Sequence, residues 1–225
     1  MQNLGISVLF EGKNFIRLLE GLLVTLEIAI LAIITALILG VLFGIIRTTS
    51  NKLIKIIFKL YLELFRIIPI LVWLFAIYYL FPTNLNIELS AETVAYIVFA
   101  LWGAAEMSDI VRGAIISLPK HQMESSKALG LTFVQTYRYI LLPQATKRAI
   151  PPVINLITRM IKTTALLTMI GVVEVIKIGQ QIIQVNNSEH SDISFWIYGI
   201  IFCMYFCICF PLSHVSRKLE TKWAS

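Results

Sequence analysis

The sequence predicts an all-α fold: an integral membrane bundle of five transmembrane helices with one short helix carried in an interior loop. Three observations predict it. The 225 residues are 58% hydrophobic and only 14% charged, with a mean hydropathy of +0.82, which no ordinary soluble domain reaches. Five apolar runs, at roughly 22–46, 60–81, 93–117, 149–173 and 194–215, approach the length a membrane demands. That length is about 20 residues, because a helix rises about 1.5 Å per residue across about 30 Å of hydrocarbon. Finally, the one long interior loop, about residues 118–148, is charged and rich in helix formers.

The first run is too long for a removable signal peptide and lacks a small-residue cleavage site, so it is read as a retained span. The second is unusual. Lys52, Lys55, Lys59, Glu63 and Arg66 follow at spacings of 3, 4, 4 and 3, which keeps one helical face polar for about four turns. Pro69 then bends the helix or weakens its hydrogen-bond ladder. In the loop, Gln122 to Leu129 reads as a short helix, with Pro119 suited to the turn before it and Gly130 to the left-handed stop after it. Phe133, Tyr137 and Ile140 form an apolar face leading back toward the bilayer. Cys203, Cys207 and Cys209 lie within the last run, as small apolar helix residues and not a disulfide framework.

Basic residues set the expected orientation. Arg47, Lys52, Lys55, Lys59, Lys120, Lys127, Arg138, Lys147, Arg148, Arg217, Lys218 and Lys222 lie on one set of flanks. Only Lys13, Arg17 and Lys177 lie on the other, so the N-terminus is placed outside and the C-terminus in the cytoplasm. The net charge of +6 is then a topology signal and an attraction to lipid surfaces. The cations are scattered along helix ends, which argues against a nucleic-acid surface. The chain reads as one membrane domain over 20–215, with an extracytoplasmic segment at 1–19 and a cytoplasmic tail at 216–225. No internal repeat divides it into inverted halves, as common secondary-transporter folds would require.

Charges inside apolar spans cost roughly 2.5–3.5 kcal/mol each, so they face protein or water. Glu63 and Arg66, at i and i+3, are expected to neutralise each other as a packing pair. Glu106, Asp109 and Arg112 step round one side of the third span. Asn155, Arg159 and Lys162 line one stripe of the fourth, near Thr158, Thr163 and Thr164. Glu106, Asn155, Arg159, Lys162, Thr163 and Thr164 are therefore candidates for a solute path, with packing and interhelical hydrogen bonding as the alternative.

Glu124-Ser125-Ser126, then Gly130, then Ile140-x-Leu142-Pro143, resembles the EAA loop of the membrane subunits of ATP-binding-cassette (ABC) importers. Glu63-Leu64-Phe65-Arg66-Ile67-Ile68-Pro69 is similar to the E-x-F-R-x-x-P signature of the polar amino-acid permease family. Glu106 to Ile115, Asn155 to Ile170, and Gly21 with Thr25 and Leu26 resemble further stretches of that family, so the likeness covers about residues 20–215. Ser125 and Ser126 stand for the two alanines of the loop, and Ile67-Ile68, Trp73 and Thr163-Thr164-Ala165 also depart from its pattern. Those departures bear on the solute class more than on the transport mechanism.

The resemblance implies the type I ABC importer fold and a coupling role for Glu124, Ser125, Ser126, Ala128, Gly130, Leu142 and Pro143. It also implies two ABC ATPase subunits, a second permease chain (identical or homologous), an extracytoplasmic solute-binding protein and an amino-acid solute. No G-x-x-x-x-G-K-[ST] loop occurs, so ATP and Mg are expected on the partner ATPase, with no cofactor or metal on this chain. An ATP-independent channel or secondary carrier is the alternative reading. A membrane-embedded enzyme is a further one, but His121, His190 and His214 have no paired metal-ligand spacing and no nucleophile motif appears.

Overall fold

The computed structural model describes residues 5–48, 51–85 and 87–224. Residues 1–4 of the expected extracytoplasmic segment, Asn86 of the expected outer loop and Ser225 of the tail lie outside the described residues.

Among the described residues the regular structure is entirely helical. A short 3-10 turn, Gly5–Phe10, precedes α1, Asn14–Ile46. Next come α2, Lys52–Ile67, and α3, Ile70–Phe75, which continues through a π turn, Ala76–Leu80, into α4, Phe81–Leu85. Then α5, Ala91–Ile116, leads to α6, Lys120–Ala128. The chain resumes at α7, Phe133–Thr136, passes a π turn at Tyr137–Leu141 and continues as α8, Leu142–Thr163, with a 3-10 end at Thr164–Ile170. Last are α9, Val175–Asn186, and α10, Ile193–Ala224. Four of these helical segments are long and apolar enough to cross a membrane, and five when Lys52–Ile67 and Ile70–Asn84 count as one broken span.

Three expectations shift. The second span is broken and not merely bent, because Ile68 before Pro69 is extended (φ −83°, ψ 123°), the conformation a following proline imposes. The fourth span begins at Phe133 instead of 149, since the charges at Arg138, Lys147 and Arg148 lowered its hydropathy without interrupting the helix. The loop after it holds α9, whose stripe of Val175, Ile178 and Ile182 is too short to span a bilayer yet fully amphipathic.

The chain forms two compact units. One takes the first part of α1 to Leu31, residues 71–98 and residues 159–211. Its core gathers Val8, Leu9, Leu18, Val175, Ile178, Ile182, Ile193, Ile197 and Ile201. Glu174 ties the unit together at the start of α9. It is fully buried and accepts from the backbone N–H groups of Ile176 (3.0 Å) and Lys177 (2.9 Å), and from the Thr25 hydroxyl at 3.3 Å. Burial pushes the Glu174 carboxyl above its ordinary range, while these donors hold it down. Asp192 receives the Gly5 N–H at 3.1 Å and the Trp196 indole N–H at 2.8 Å, which closes the N-terminal turn over α10.

The other unit comprises residues 32–70, 99–158 and 212 onward. Here α1 and α5 approach so closely that a Cβ on Gly40 would stand 2.3 Å from the Met107 Cβ, and one on Gly44 2.6 Å from the Val111 Cβ. Apolar helices attract one another weakly in lipid, so small residues that let backbones meet supply the packing. Beneath α6, Ala114, Ile115, Leu118, Leu141 and Ala145 form a second core with Met123 packed against it. Pro151 and Pro152 lie inside α8, and the Pro151 carbonyl accepts the buried Ser216 hydroxyl at 3.0 Å.

Candidate coupling helix and translocation path

The short helix α6 is capped at its C-terminal end by its own backbone. The Gly130 N–H reaches the Lys127 carbonyl (2.9 Å) and the Leu131 N–H the Ser126 carbonyl (3.0 Å), the paired bonds of a Schellman motif. Gly130 takes the left-handed conformation this requires, with φ +75°. Two residues later Thr132 opens the next helix with a capping box: its hydroxyl accepts the Gln135 N–H, and the Gln135 side chain accepts the Thr132 N–H at 2.9 Å. One helix therefore ends and another begins within four residues, with the donors and acceptors of the corner largely satisfied. Such a corner transmits displacement instead of absorbing it.

Glu124, Ser125, Ala128, Leu129 and Gly130 are exposed on this element. Leu129 is 77% exposed, an apolar knob absent from the expected coupling set, and an apolar residue beside a glycine stop was the signal for it. Ser126, unlike its exposed neighbour Ser125, is buried, and its hydroxyl donates to the Gln122 backbone carbonyl at 2.5 Å. Its smallness serves the packing under α6. Leu142 is half-buried and Pro143 exposed in the first turn of α8. The Gln144 side-chain amide donates to the Gln122 side-chain Oε1 at 3.2 Å, and Arg148 donates to the Ser117 backbone carbonyl at 2.6 Å, so α8 braces the α5–α6 connection.

The expected Glu63–Arg66 pair is replaced. Glu63 lies 3.6 Å from Lys59 on its own helix, and Arg66 reaches across to α5, 2.6 Å from Asp109 and 3.4 Å from Glu106. Arg47 completes the cluster, 3.1 Å from Asp109 and 2.9 Å from the Ser108 hydroxyl. A helix neighbour offers an arginine one carboxylate, whereas α5 offers two one turn apart, and the planar fork suits that pair better. Arg66→Ala is expected to cost about 2 kcal/mol, less than a fully buried pair because Arg66 is 45% exposed. Thermal unfolding in detergent reads this, with Arg66→Lys recovering part of the loss. A wild-type midpoint for Arg66→Ala would refute it.

On α8, Asn155, Arg159 and Lys162 lie on one exposed stripe, at spacings of 4 and 3. Cations on a membrane-crossing helix face protein or water, since hydrocarbon would cost each roughly 2.5–3.5 kcal/mol. Thr163 is half-buried and donates to the Arg159 carbonyl at 2.8 Å. Thr164 is fully buried, donating to the Ile161 carbonyl at 2.6 Å beside the Tyr205 hydroxyl. The stripe thus gathers Asn155, Arg159 and Lys162, while Thr164 belongs to the core of its unit and Glu106 to the arginine cluster.

The chain thus combines helices long and apolar enough to cross a membrane with a rigidly capped loop helix, and comparison with known proteins gives the class. The chain matches the model for the binding-protein-dependent transport system inner membrane component over residues 36–223, and it belongs to that family. It is 34% identical over 202 residues to the L-cystine transport system permease protein TcyB of Bacillus subtilis, covering 90% of this chain and 84% of that one. It is 33% identical over 206 residues to the glutamine transport system permease protein GlnP of Escherichia coli K12, covering 91% and 92%. Among solved structures, an amino acid ABC transporter superposes with a TM-score of 0.83 at 27% identity, covering 93% of this chain and 95% of that one. The MetNI methionine ABC transporter in an inward-facing conformation shares the fold, with a TM-score of 0.70 at 18% identity over 90% of this chain and 96% of that one. The type I importer fold expected from the sequence is the fold observed.

Proposed function

We propose that this chain is the membrane permease subunit of an ATP-driven amino-acid importer, standing with its N-terminus outside and its C-terminus in the bacterial cytoplasm. The observation that carries the reading is the joint likeness, at 33–34% identity over nine-tenths of the chain, to permeases named for glutamine and L-cystine transport. Both solutes are zwitterions with a carboxylate, for which Arg159 and Lys162 supply complementary charge. One of two ATPases docks on α6 through Glu124, Ser125, Ala128 and Leu129, the other on the corresponding helix of a second permease chain, which covers the α8 stripe. A solute-binding protein delivers cargo from outside. ATP and Mg act on the ATPases, whose closure pushes α6 and rocks the spans between inward- and outward-facing states.

The test is uptake by the assembled transporter in proteoliposomes, with purified binding protein and amino acids supplied one at a time. Lys162→Ala is expected to raise the apparent KM about tenfold while the complex still assembles. An unchanged KM for every amino acid tested would return Lys162 to a packing role. Uptake by the permease alone, without ATPase, would overturn the importer reading.

A further inference from the structure

The polar flank of α2 opens on a cavity of about 380 Å³ walled by Arg47, Lys55, Lys59, Glu63, Arg66 and Arg112. Five cations face one carboxylate there. Counting Glu106 and Asp109, which hold Arg66 and Arg47 from behind, five positive groups still meet only three negative ones (5 − 3 = 2). Lys59 is answered by Glu63, so the surplus of two sits on Lys55 and Arg112. Among the described residues neither of these side chains has an ion pair or hydrogen bond. The helix has three faces. Leu62 and Phe65 are buried, the basic residues form one flank, and Leu53, Ile56, Ile57, Leu60 and Leu64 form an exposed apolar flank.

We propose that this cavity binds the phosphodiester headgroup of an anionic phospholipid, with an acyl chain lying along the apolar flank of α2. Arg47 and Arg66 are already oriented by the acids of α5, so two guanidinium groups are pre-positioned. Lys55 and Arg112 then supply the charge that an oxyanion would neutralise. The cavity adjoins Arg47 at the end of α1 and the basic start of α2, the flank that the distribution of cations assigns to the cytoplasmic leaflet, where anionic headgroups collect. A free anion would use the basic wall alone. The adjoining row of exposed aliphatic side chains is what favours a lipid. The inference rests on membrane embedding and not on the solute class, so it can fail or stand independently of the proposed cargo.

Native mass spectrometry of the purified full chain in neutral detergent tests it, with phosphatidylglycerol, phosphatidylcholine and inorganic phosphate added separately. Near a membrane surface each basic residue contributes about fivefold to retention of an anionic lipid. Phosphatidylglycerol is therefore expected to bind about 25-fold more tightly than phosphatidylcholine. Lys55→Gln alone, an exposed change that leaves the core untouched, is expected to lose about fivefold. The Lys55→Gln, Arg112→Gln double variant should lose about 25-fold, while Lys218→Gln binds as the parent does. Equal retention of the two lipids, or unchanged binding in Lys55→Gln and the double variant, would overturn the proposal. Complete displacement of phosphatidylglycerol by millimolar phosphate would assign the cavity to a free anion and overturn the lipid.

Discussion

Gly40→Leu is expected to prevent stable folding, with at least about 3 kcal/mol lost if any folded protein accumulates. A Cβ at this position would lie 2.3 Å from the Cβ and 2.4 Å from the Cγ of Met107, and 3.2 Å from the Ala104 carbonyl oxygen. Met107 is 1% exposed and its Cβ cannot swing aside as a flexible tip can, so α1 and α5 must separate. Separation strips van der Waals contact from the Gly44–Val111 crossing one turn further along, where the approach is also below 3 Å. Gly199→Leu, at a position with nothing within 4 Å, is the control and should leave unfolding where it is. Detergent thermal melts of the two variants decide the matter. A Gly40→Leu protein that melts with the parent would show that the helices do not depend on that contact.

Gly130→Leu is expected to insert and fold, yet to lower ATP-driven uptake at least tenfold while ATPase activity persists. The space around Gly130 is open, so the cost is the left-handed backbone alone, about 1–2 kcal/mol for a residue with a Cβ. The chain can escape that cost by unwinding the Schellman bonds at Gly130 and Leu131. It then loosens the corner between α6 and α7. A slack corner still docks but no longer carries a push into α8. Uptake and solute-stimulated hydrolysis measured together in proteoliposomes separate this outcome from a docking defect. Parental values for both would remove Gly130 from the coupling role.

Helix identity and the capped loop were legible in the chain because their signals are local. Apolar length gave the spans, Pro69 marked the break and Gly130 the end of α6, which the structure places at Lys120–Ala128 against an expected Gln122 to Leu129. The long run from Phe133 was harder to read, since its charges mimic a loop in hydropathy while the Thr132–Gln135 capping box starts a helix regardless. Helix α9 was missed because a twelve-residue amphipathic helix carries no membrane-length signal. Ser126 and Leu129 show the same limit at single-residue scale: adjacency in the motif does not say which side of a nine-residue helix rests on the core.

The amino-acid order by itself determined the helical class, most of the membrane-length apolar runs and the glycine stop after the loop helix. These depend on hydrophobic length, capping side chains and a glycine φ, all resolved within one or two helical turns. Only the tertiary structure decided who neutralises whom. Arg66 bypasses Glu63 for Glu106 and Asp109, forty and forty-three residues away, and Arg47 joins them. A guanidinium takes whichever carboxylates the packed helices bring within reach of its planar fork, and that choice is made by the packing of α2 against α5, not by their sequence spacing.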